Sequence, residues 1–495
     1  MKSAPIYFNK TLPPNFYYPY KLANKLYNFP IDNHIENGKG QKIGILTGGE
    51  FFMQYAKSDN NFNNFISQLR TNNIPELNTN LKIILHDPTK THNYYSHTEN
   101  ALSELGEEGE GLLDISIILS CCPGLEEIHI FPYSTANAIV NGKKKILTNI
   151  KDYLILSRQL RIHVISCSYG SYIDVSDEQD DEIFKDFSDI TICVASGDNG
   201  GCSNTSPKGT CIKMTSYPSY SKYVLSVGGT KFTYKAQSQI PNDMSQIAWY
   251  EDPGLTKFGG GSGGGGISPL PRPIWQHGAN LDKFKQNRLV PDVAGLAQSI
   301  WYLPASTQQI KSNSDGSTTI PLSGGTSAVA PMYAAFFIIV NQEREKLNKK
   351  PIGFVNNHLY EQQFKNHNLF GDIVRGNITA GYKAKDKYDL TSGLGIPKFN
   401  NMLKYLTNVD SSNNSNGSND RYHYTGTHGS NGTHGSNGTR GSNGTHGSNG
   451  THGSNGSNGS NVSNGKGNNN TIIIIISSVL VVLFLILILV YVLKR

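Results

Sequence analysis

The 495-residue sequence predicts an α/β fold with a doubly wound, mostly parallel sheet and helices on both faces. Two observations carry that expectation. Short apolar runs of strand length recur between residues 41 and 227, and stretches with helical apolar spacing alternate with them. Sheets of this kind place chemistry in the loops at the carboxyl ends of their strands.

Taken in order, residues 1–40 read as irregular, with Pro13-Pro14 and tyrosines at 17, 18 and 20. The stretch 41–47 is the first strand, closed by Gly48-Gly49. Over 58–70, Phe62, Phe65, Ile66 and Leu69 fall at i, i+3, i+4 and i+7, one face of a helix. A second strand covers 81–85. Residues 110–121 are apolar on nearly every face, so a buried helix is expected there, stopped by Pro123-Gly124. A strand over 127–131, a helix over 147–160 and strands over 162–166, 190–195 and 223–227 continue the alternation. The glycine run 259–266 reads equally as a loop over a site or as a flexible linker. It lies inside the domain, since 287–345 look globular again. A turn-rich loop, 311–318, precedes an apolar run at 332–340 long enough for a buried helix.

A net charge of +6 with scattered Lys and Arg gives no basic patch, which argues against a nucleic-acid partner. The six cysteines are Cys121, Cys122, Cys167, Cys193, Cys202 and Cys211, none at metal-ligand spacing with a histidine. Cys202 and Cys211 bracket a short polar loop and could close a small disulfide in an oxidising compartment. Cys167 and Cys193 sit in apolar runs and read as buried thiols.

Three regions are expected: a globular domain over 1–406, a stalk over 407–470 and a membrane segment over 471–495. The stalk is nearly all Asn, Gly, Ser, Thr and His, repeats Thr-His-Gly-Ser-Asn-Gly from Thr427, and cannot form a core. It carries Asn-x-Ser/Thr acceptors at Asn431, Asn437, Asn443, Asn449, Asn455, Asn458 and Asn461. The run 472–493 is apolar apart from Ser477 and Ser478 and ends in Lys494-Arg495, so one C-terminal span is expected. That makes the membrane a partner and the domain lumenal or extracellular, in an acidic endolysosomal compartment or at the cell surface. The first residues lack the apolar core of a signal peptide.

The chemistry gathers around Ser323-Gly324-Gly325-Thr326-Ser327-Ala328-Val329-Ala330-Pro331. Glycines at the mouth of a helix admit close approach, and the helix start offers free N–H groups and a positive dipole. Ser327 placed there suits an acyl-forming nucleophile, while an ordinary N-cap at Thr326 or Ser327 is the plain alternative. No upstream histidine has the His-Gly-Thr setting of a serine-activating base, but carboxylates are available. Glu110 and Asp114 lie one turn apart on the expected buried helix, where unpaired carboxylates would cost several kcal/mol. Asp198, in Ser196-Gly197-Asp198, directly follows a strand, though Asp198-Asn199-Gly200 also suits an ordinary turn.

Glu110-x-x-x-Asp114, Ser196-Gly197-Asp198 and Gly325-Thr326-Ser327-x-x-x-Pro331, in this order, resemble the sedolisin family of serine-carboxyl peptidases, which includes tripeptidyl peptidases and physarolisins. Val227-Gly228-Gly229-Thr230 and Pro291-Asp292-Val293-Ala294 support the resemblance, which covers roughly residues 10 to 406. It implies a subtilisin-like scaffold with Ser327 as nucleophile, Glu110 as general base, Asp114 orienting Glu110, and Asp198 as oxyanion-hole donor. Peptides or unfolded proteins are the implied substrates, cleaved as a tripeptidyl peptidase or an endopeptidase at acid pH. The resemblance also implies a Ca2+ site at Asp372, Ile373, Lys385, Lys387 and Asp389. Lys385 and Lys387 replace glycines of the family pattern there, while their backbone carbonyls remain as ligands. The family's N-terminal pro-segment finds no counterpart, and an incomplete reading frame is the favoured explanation. The competing function is a weak or inactive cell-surface binding module on a protease scaffold.

Overall fold

The computed structural model describes residues 6–9, 19–32, 34–48, 77–86, 94–96, 109–133, 135–140, 143–172, 181–203, 211–233, 245–251, 261–278, 281–284, 286–298, 301–302, 311–312, 317–320, 322–361 and 368–410. The chain divides into two units, Met1–Asp420 and Arg421–Arg495, and every described residue belongs to the first. The expected helix over 58–70, the repeat with its Asn-x-Ser/Thr acceptors, and the apolar run 472–493 lie outside the described residues.

The main sheet has nine strands among the described residues. They are β1 (Lys42–Gly48), β2 (Lys82–His86), β3 (Tyr94–Ser96), β4 (Glu127–Tyr133), β5 (Val164–Cys167), β6 (Thr191–Ala195), β7 (Leu225–Phe232), β8 (Gln246–Ala248) and β9 (Val293–Leu296). Their order is β8-β7-β6-β5-β1-β4-β2-β3, with β9 also on β7. Only the β7–β8 and β2–β3 pairs are antiparallel. The remaining pairs are parallel, as in Gly44 opposite Ile165 and Val227 opposite Ala195.

Alternation along each strand divides the apolar residues between two cores, one on each face. Ile43, Ile45, Ile128, Val164, Cys193 and Val227 point to one face, where they meet helices α1 (Pro19–Tyr27), α2 (Gly109–Cys121), α4 (Thr326–Lys346) and α5 (Phe399–Asn408). Leu46, Phe131, Ile165, Ile192 and Val194 point to the other, which α3 (Ile150–Gln159) covers. This is the expected α/β, doubly wound architecture.

Local departures have local causes. Residues 1–40 are not irregular throughout: α1 buries Pro19, Leu22, Ala23 and Tyr27, a face with only two strongly apolar side chains. The expected loop 311–318 contributes instead to a small antiparallel sheet, in which Ile6–Asn9 and Lys311–Ser312 both pair with Ser317–Ile320. The helix expected from 147 starts at Ile150, because Lys143–Thr148 pairs with Thr135–Val140 as a hairpin.

The glycine run is not a linker. Gly264 donates its N–H to the Gly197 carbonyl at 2.6 Å, Ser262 donates to the Asp198 carbonyl at 2.9 Å, and Gly200 donates to the Ser262 carbonyl at 2.9 Å. A Cβ on Gly264 would collide with the carbonyl oxygen of Ser196, so only glycine lets these two backbones touch. The strip 262–264 therefore clamps the segment that bears Asp198.

Among the described residues no helix is long and apolar enough to cross a membrane. Even α4, at 21 residues, ends in Gln342-Glu343-Arg344-Glu345-Lys346. The expectation of a single-pass protein, with the membrane as partner and the domain lumenal or extracellular, is corrected accordingly. The cysteine readings hold: Cys202 and Cys211 form a disulfide, and Cys167 and Cys193 are buried thiols.

Candidate active site

Helices α2 and α4 pack along one another, and the site forms where their first turns approach the ends of β5 and β6. Ser327 is the second residue of α4 and only 6% exposed. The helix is capped by Gly325 at φ 90°, a left-handed conformation that favours glycine, and a Cβ there would strike Asp198 Oδ2. Neither Thr326 nor Ser327 is thus the N-cap. Asp198 closes the helix end from outside: Thr326 donates to its Oδ1 from N–H at 2.8 Å and from Oγ1 at 2.9 Å. Gly197 N–H in turn donates to Thr326 Oγ1 at 3.1 Å. A carboxylate is favoured there by the helix dipole.

Glu110 and Asp114 both start from the first turns of α2, as the four-residue spacing implies. Glu110 retains some exposure as a residue, but its Oε1 is shielded from solvent and lacks a hydrogen-bond partner. Burial pushes its carboxyl up to about 7; the Ser327 hydroxyl, approaching as a donor, opposes the rise and the Asp198 charge adds to it. Asp114, 1% exposed, is held well above the usual carboxylate range by burial and then by Glu110. Burial also raises Asp198, against the two bonds from Thr326. Glu110 is coupled to both Asp198 and Asp114, so the protons of these buried carboxyls belong to the cluster rather than to single residues.

Two features of this cluster were missed in the sequence. Ser168 follows the end of β5, and its hydroxyl is 2.6 Å from Asp114 Oδ1 and 3.2 Å from the Ser327 carbonyl. That carbonyl is available because Pro331, four residues on inside α4, has no N–H to offer it. The rule that singled out Asp198, polar residues just past a parallel strand, applies equally to Ser168. The other is Tyr172, whose hydroxyl lies against Gly197.

The buried histidines go elsewhere. His86 and His129 bond each other at 2.9 Å, and His129 also meets Glu127 at 3.1 Å. Burial and the neighbouring His129 push His86 down to about 3.

Among the described residues no group of three or more His, Cys, Asp or Glu is placed to hold a metal, which corrects the expectation of a metal-binding cluster of that kind. The residues of the implied Ca2+ loop do converge. Asp389 Oδ2 accepts the Lys385 N–H at 2.8 Å, and Asp372 Oδ2 accepts the Lys387 N–H at 2.7 Å. Lys387 adopts φ 64° despite its side chain, and both lysines are exposed. Burial raises both carboxyls, Asp389 raises Asp372 further, and neither is ion-paired among the described residues. Asp389 Oδ1 also accepts from the N–H and hydroxyl groups of Thr391 and Ser392, so that carboxylate is held by neutral donors on both oxygens.

A parallel sheet with a serine at the head of a buried central helix, flanked by carboxylates, defines a subtilisin-like α/β protein. The Subtilase family model matches residues 124–358, a span that includes Asp198 and Ser327 and begins after Asp114. Kumamolisin from Bacillus sp. (strain MN-32) is 31% identical over 318 residues, 61% of this chain and 51% of that protein. Tripeptidyl-peptidase 1 from Homo sapiens is 27% identical over 351 residues (63% and 55%), and that from Dictyostelium discoideum 28% over 327 residues (60% and 47%). The chain thus spans about half the length of the curated relatives it matches. In fold it is similar to Pseudomonas sedolisin, a serine-carboxyl proteinase solved with two molecules of pseudo-iodotyrostatin, at TM-score 0.56 and 19% identity over 80% of this chain and 98% of that one. The chain is thus similar in sequence to kumamolisin and the tripeptidyl peptidases, and in fold to a sedolisin.

Proposed function

We propose that the chain is an acid-acting serine-carboxyl peptidase. The observation that carries this reading is Ser327 at the head of α4, with Asp198 bonded at the same helix end and Glu110, its Oε1 buried without a hydrogen-bond partner, electrostatically coupled to both. In this reading Glu110 takes the Ser327 proton as the hydroxyl attacks the peptide carbonyl. Asp114, steadied by Ser168, holds Glu110 in place. Asp198, when protonated, donates to the oxyanion beside the N-terminus of α4.

Base and donor need opposite protonation states. With Glu110 raised to about 7, the productive form is the arrangement of the singly protonated pair that has its proton on Asp198. The rate should therefore trace a bell on the acid side of neutral, limited below by the doubly protonated pair and above by the fully ionised one. Hydrolysis of a mixed peptide library across pH 3 to 8, with products mapped by mass, tests this and separates tripeptide release from internal cleavage. A maximum near pH 8, or peptide binding without turnover at any pH, would refute it; the latter would favour a binding module instead.

The loop of Asp372 and Asp389 is further proposed to hold Ca2+, with the carbonyls of Ile373, Lys385 and Lys387 as additional ligands. Bound calcium would supply charge balance and stiffness to that loop. Chelation is expected to lower the melting temperature by several degrees, and added Ca2+ to restore it. A melt indifferent to both would remove the metal from the proposal.

A further inference from the structure

Between the first turns of α2 and α4 a single hydroxyl touches both helices. Ser168 Oγ stands 2.6 Å from Asp114 Oδ1 on α2 and 3.2 Å from the Ser327 carbonyl oxygen on α4. A serine hydroxyl has one hydrogen to give. With Asp114 ionised, both neighbours are acceptors and only one can be served. The carboxylate, the stronger acceptor, would take the hydrogen. The carbonyl, which Pro331 leaves without its amide donor inside the helix, would lose it. A proton on Asp114 Oδ1 satisfies every group at once: the acid donates to Ser168 Oγ, and Ser168 donates onward to the carbonyl. The short first distance suits a carboxyl O–H donor, and the longer second lies at the outer edge of hydroxyl reach.

We propose that Ser168 is a positioning residue that joins α2 to α4 in the acid state. Protonated Asp114 donates from Oδ1 to Ser168 Oγ, and Ser168 passes its own hydrogen to the Ser327 carbonyl. The turn that bears the nucleophile is thereby tied to the helix that bears the base. The groups facing Asp114 are Glu110 on its own helix, the Cys167 thiol on β5, Ser168 on the loop after β5 and the Ser327 carbonyl on α4. None of these described residues is a cation, and burial with Glu110 holds the Asp114 carboxyl well above the usual range. A neutral Asp114 also keeps a like charge away from Glu110, so the base can ionise while its neighbour does not. Ionising Asp114 turns the Ser168 hydrogen to the carboxylate and releases the carbonyl, so the link is made in acid and undone as the pH rises. Its effect on turnover rests on the peptidase reading above; the direction of the hydrogen bonds does not.

Ser-Ala occurs at two places in the sequence, Ser3-Ala4 and Ser327-Ala328. A full chain carrying 13C-carbonyl serine and 15N-alanine therefore reports the Ser327 carbonyl by NMR through the Ala328 amide. At acid pH that resonance is expected downfield, as for a hydrogen-bonded carbonyl, and Ser168→Ala should move it upfield. Asp114→Asn, whose amide donates in place of the acid, should keep it downfield. Raising the pH should carry the unmodified signal toward the Ser168→Ala position and leave both variants still. Ser168→Ala should also lower kcat by about tenfold with KM within about threefold, and Ser168→Thr, which keeps the hydroxyl, should restore most of the rate. An acid-pH signal shared by the unmodified and Ser168→Ala chains, or one that moves with pH alike in both, would overturn the inference. Should Ser168→Ala not fold, a signal that titrates in Asp114→Asn as it does in the unmodified chain overturns it equally. If the unmodified chain shows no acid peptidase activity, the function falls while the carbonyl signal still decides the role of Ser168.

Discussion

Replacing Ser327 by alanine is expected to lower peptide hydrolysis at acid pH by roughly a thousandfold or more, with substrate affinity little changed. Glu110→Gln should come close to it, at about a hundredfold to ten-thousandfold, since the hydroxyl then lacks a base. The double variant should be no slower than Ser327→Ala, because the two groups act as one unit. The same glutamine has a second signature. The Glu110 carboxyl is raised in the folded chain to about 7 from 4.5, so ionising it destabilises the fold. The stability at issue is fully present below about pH 4.5 and is lost as pH rises through about 7. Glu110→Gln cannot ionise, so it should flatten the fall in melting temperature across that window. Activity surviving in Ser327→Ala would end the serine mechanism, and an unflattened melt would show that Glu110 is not burdened by burial as described.

The largest effect on stability is expected away from the serine. Arg288 and Asp292 form a doubly bonded ion pair, both contacts at 2.6 Å and both side chains wholly buried. Asp292 also accepts the Ser226 N–H, the Tyr360 hydroxyl and the Asn356 amide. Asp292→Asn leaves the guanidinium charged and buried without its partner, which should remove about 3–5 kcal/mol from the free energy of unfolding. Arg288→Met combined with Asp292→Leu should recover part of that loss, since no lone charge is then stranded. Urea denaturation at one acid pH measures both, and a loss under about 1 kcal/mol in Asp292→Asn would contradict the arrangement. This pair helps explain why Pro291-Asp292-Val293-Ala294 stood out in the sequence: it is a structural lock joining β7, β9 and the helix at Asn356–Glu361.

Strands β1, β4, β6 and β7 were legible because a parallel strand buried on both faces is a continuous apolar run, and α2 because it is apolar all round. Helix α1 was not, since its four buried residues in nine include Pro19 and Ala23, too few strongly apolar side chains to mark a face. Glu110 and Asp114 could be paired from their spacing, as helix geometry fixes the relation of i to i+4. Ser168 could not be joined to Asp114 that way, because 54 residues and a sheet crossing separate them. The glycine strip was ambiguous for a similar reason: its composition permits flexibility, and only the backbone of Ser196–Gly197 pressed against it shows that it is held.

Since the proposed base and nucleophile ride on two different helices, their separation is set by the apolar seam between α2 and α4 rather than by any covalent link. That seam works as a bearing: its tolerance fixes how well two distant parts of the chain mesh. A methyl group added or trimmed there, out of reach of any substrate, would detune the pair while leaving every reactive atom in place.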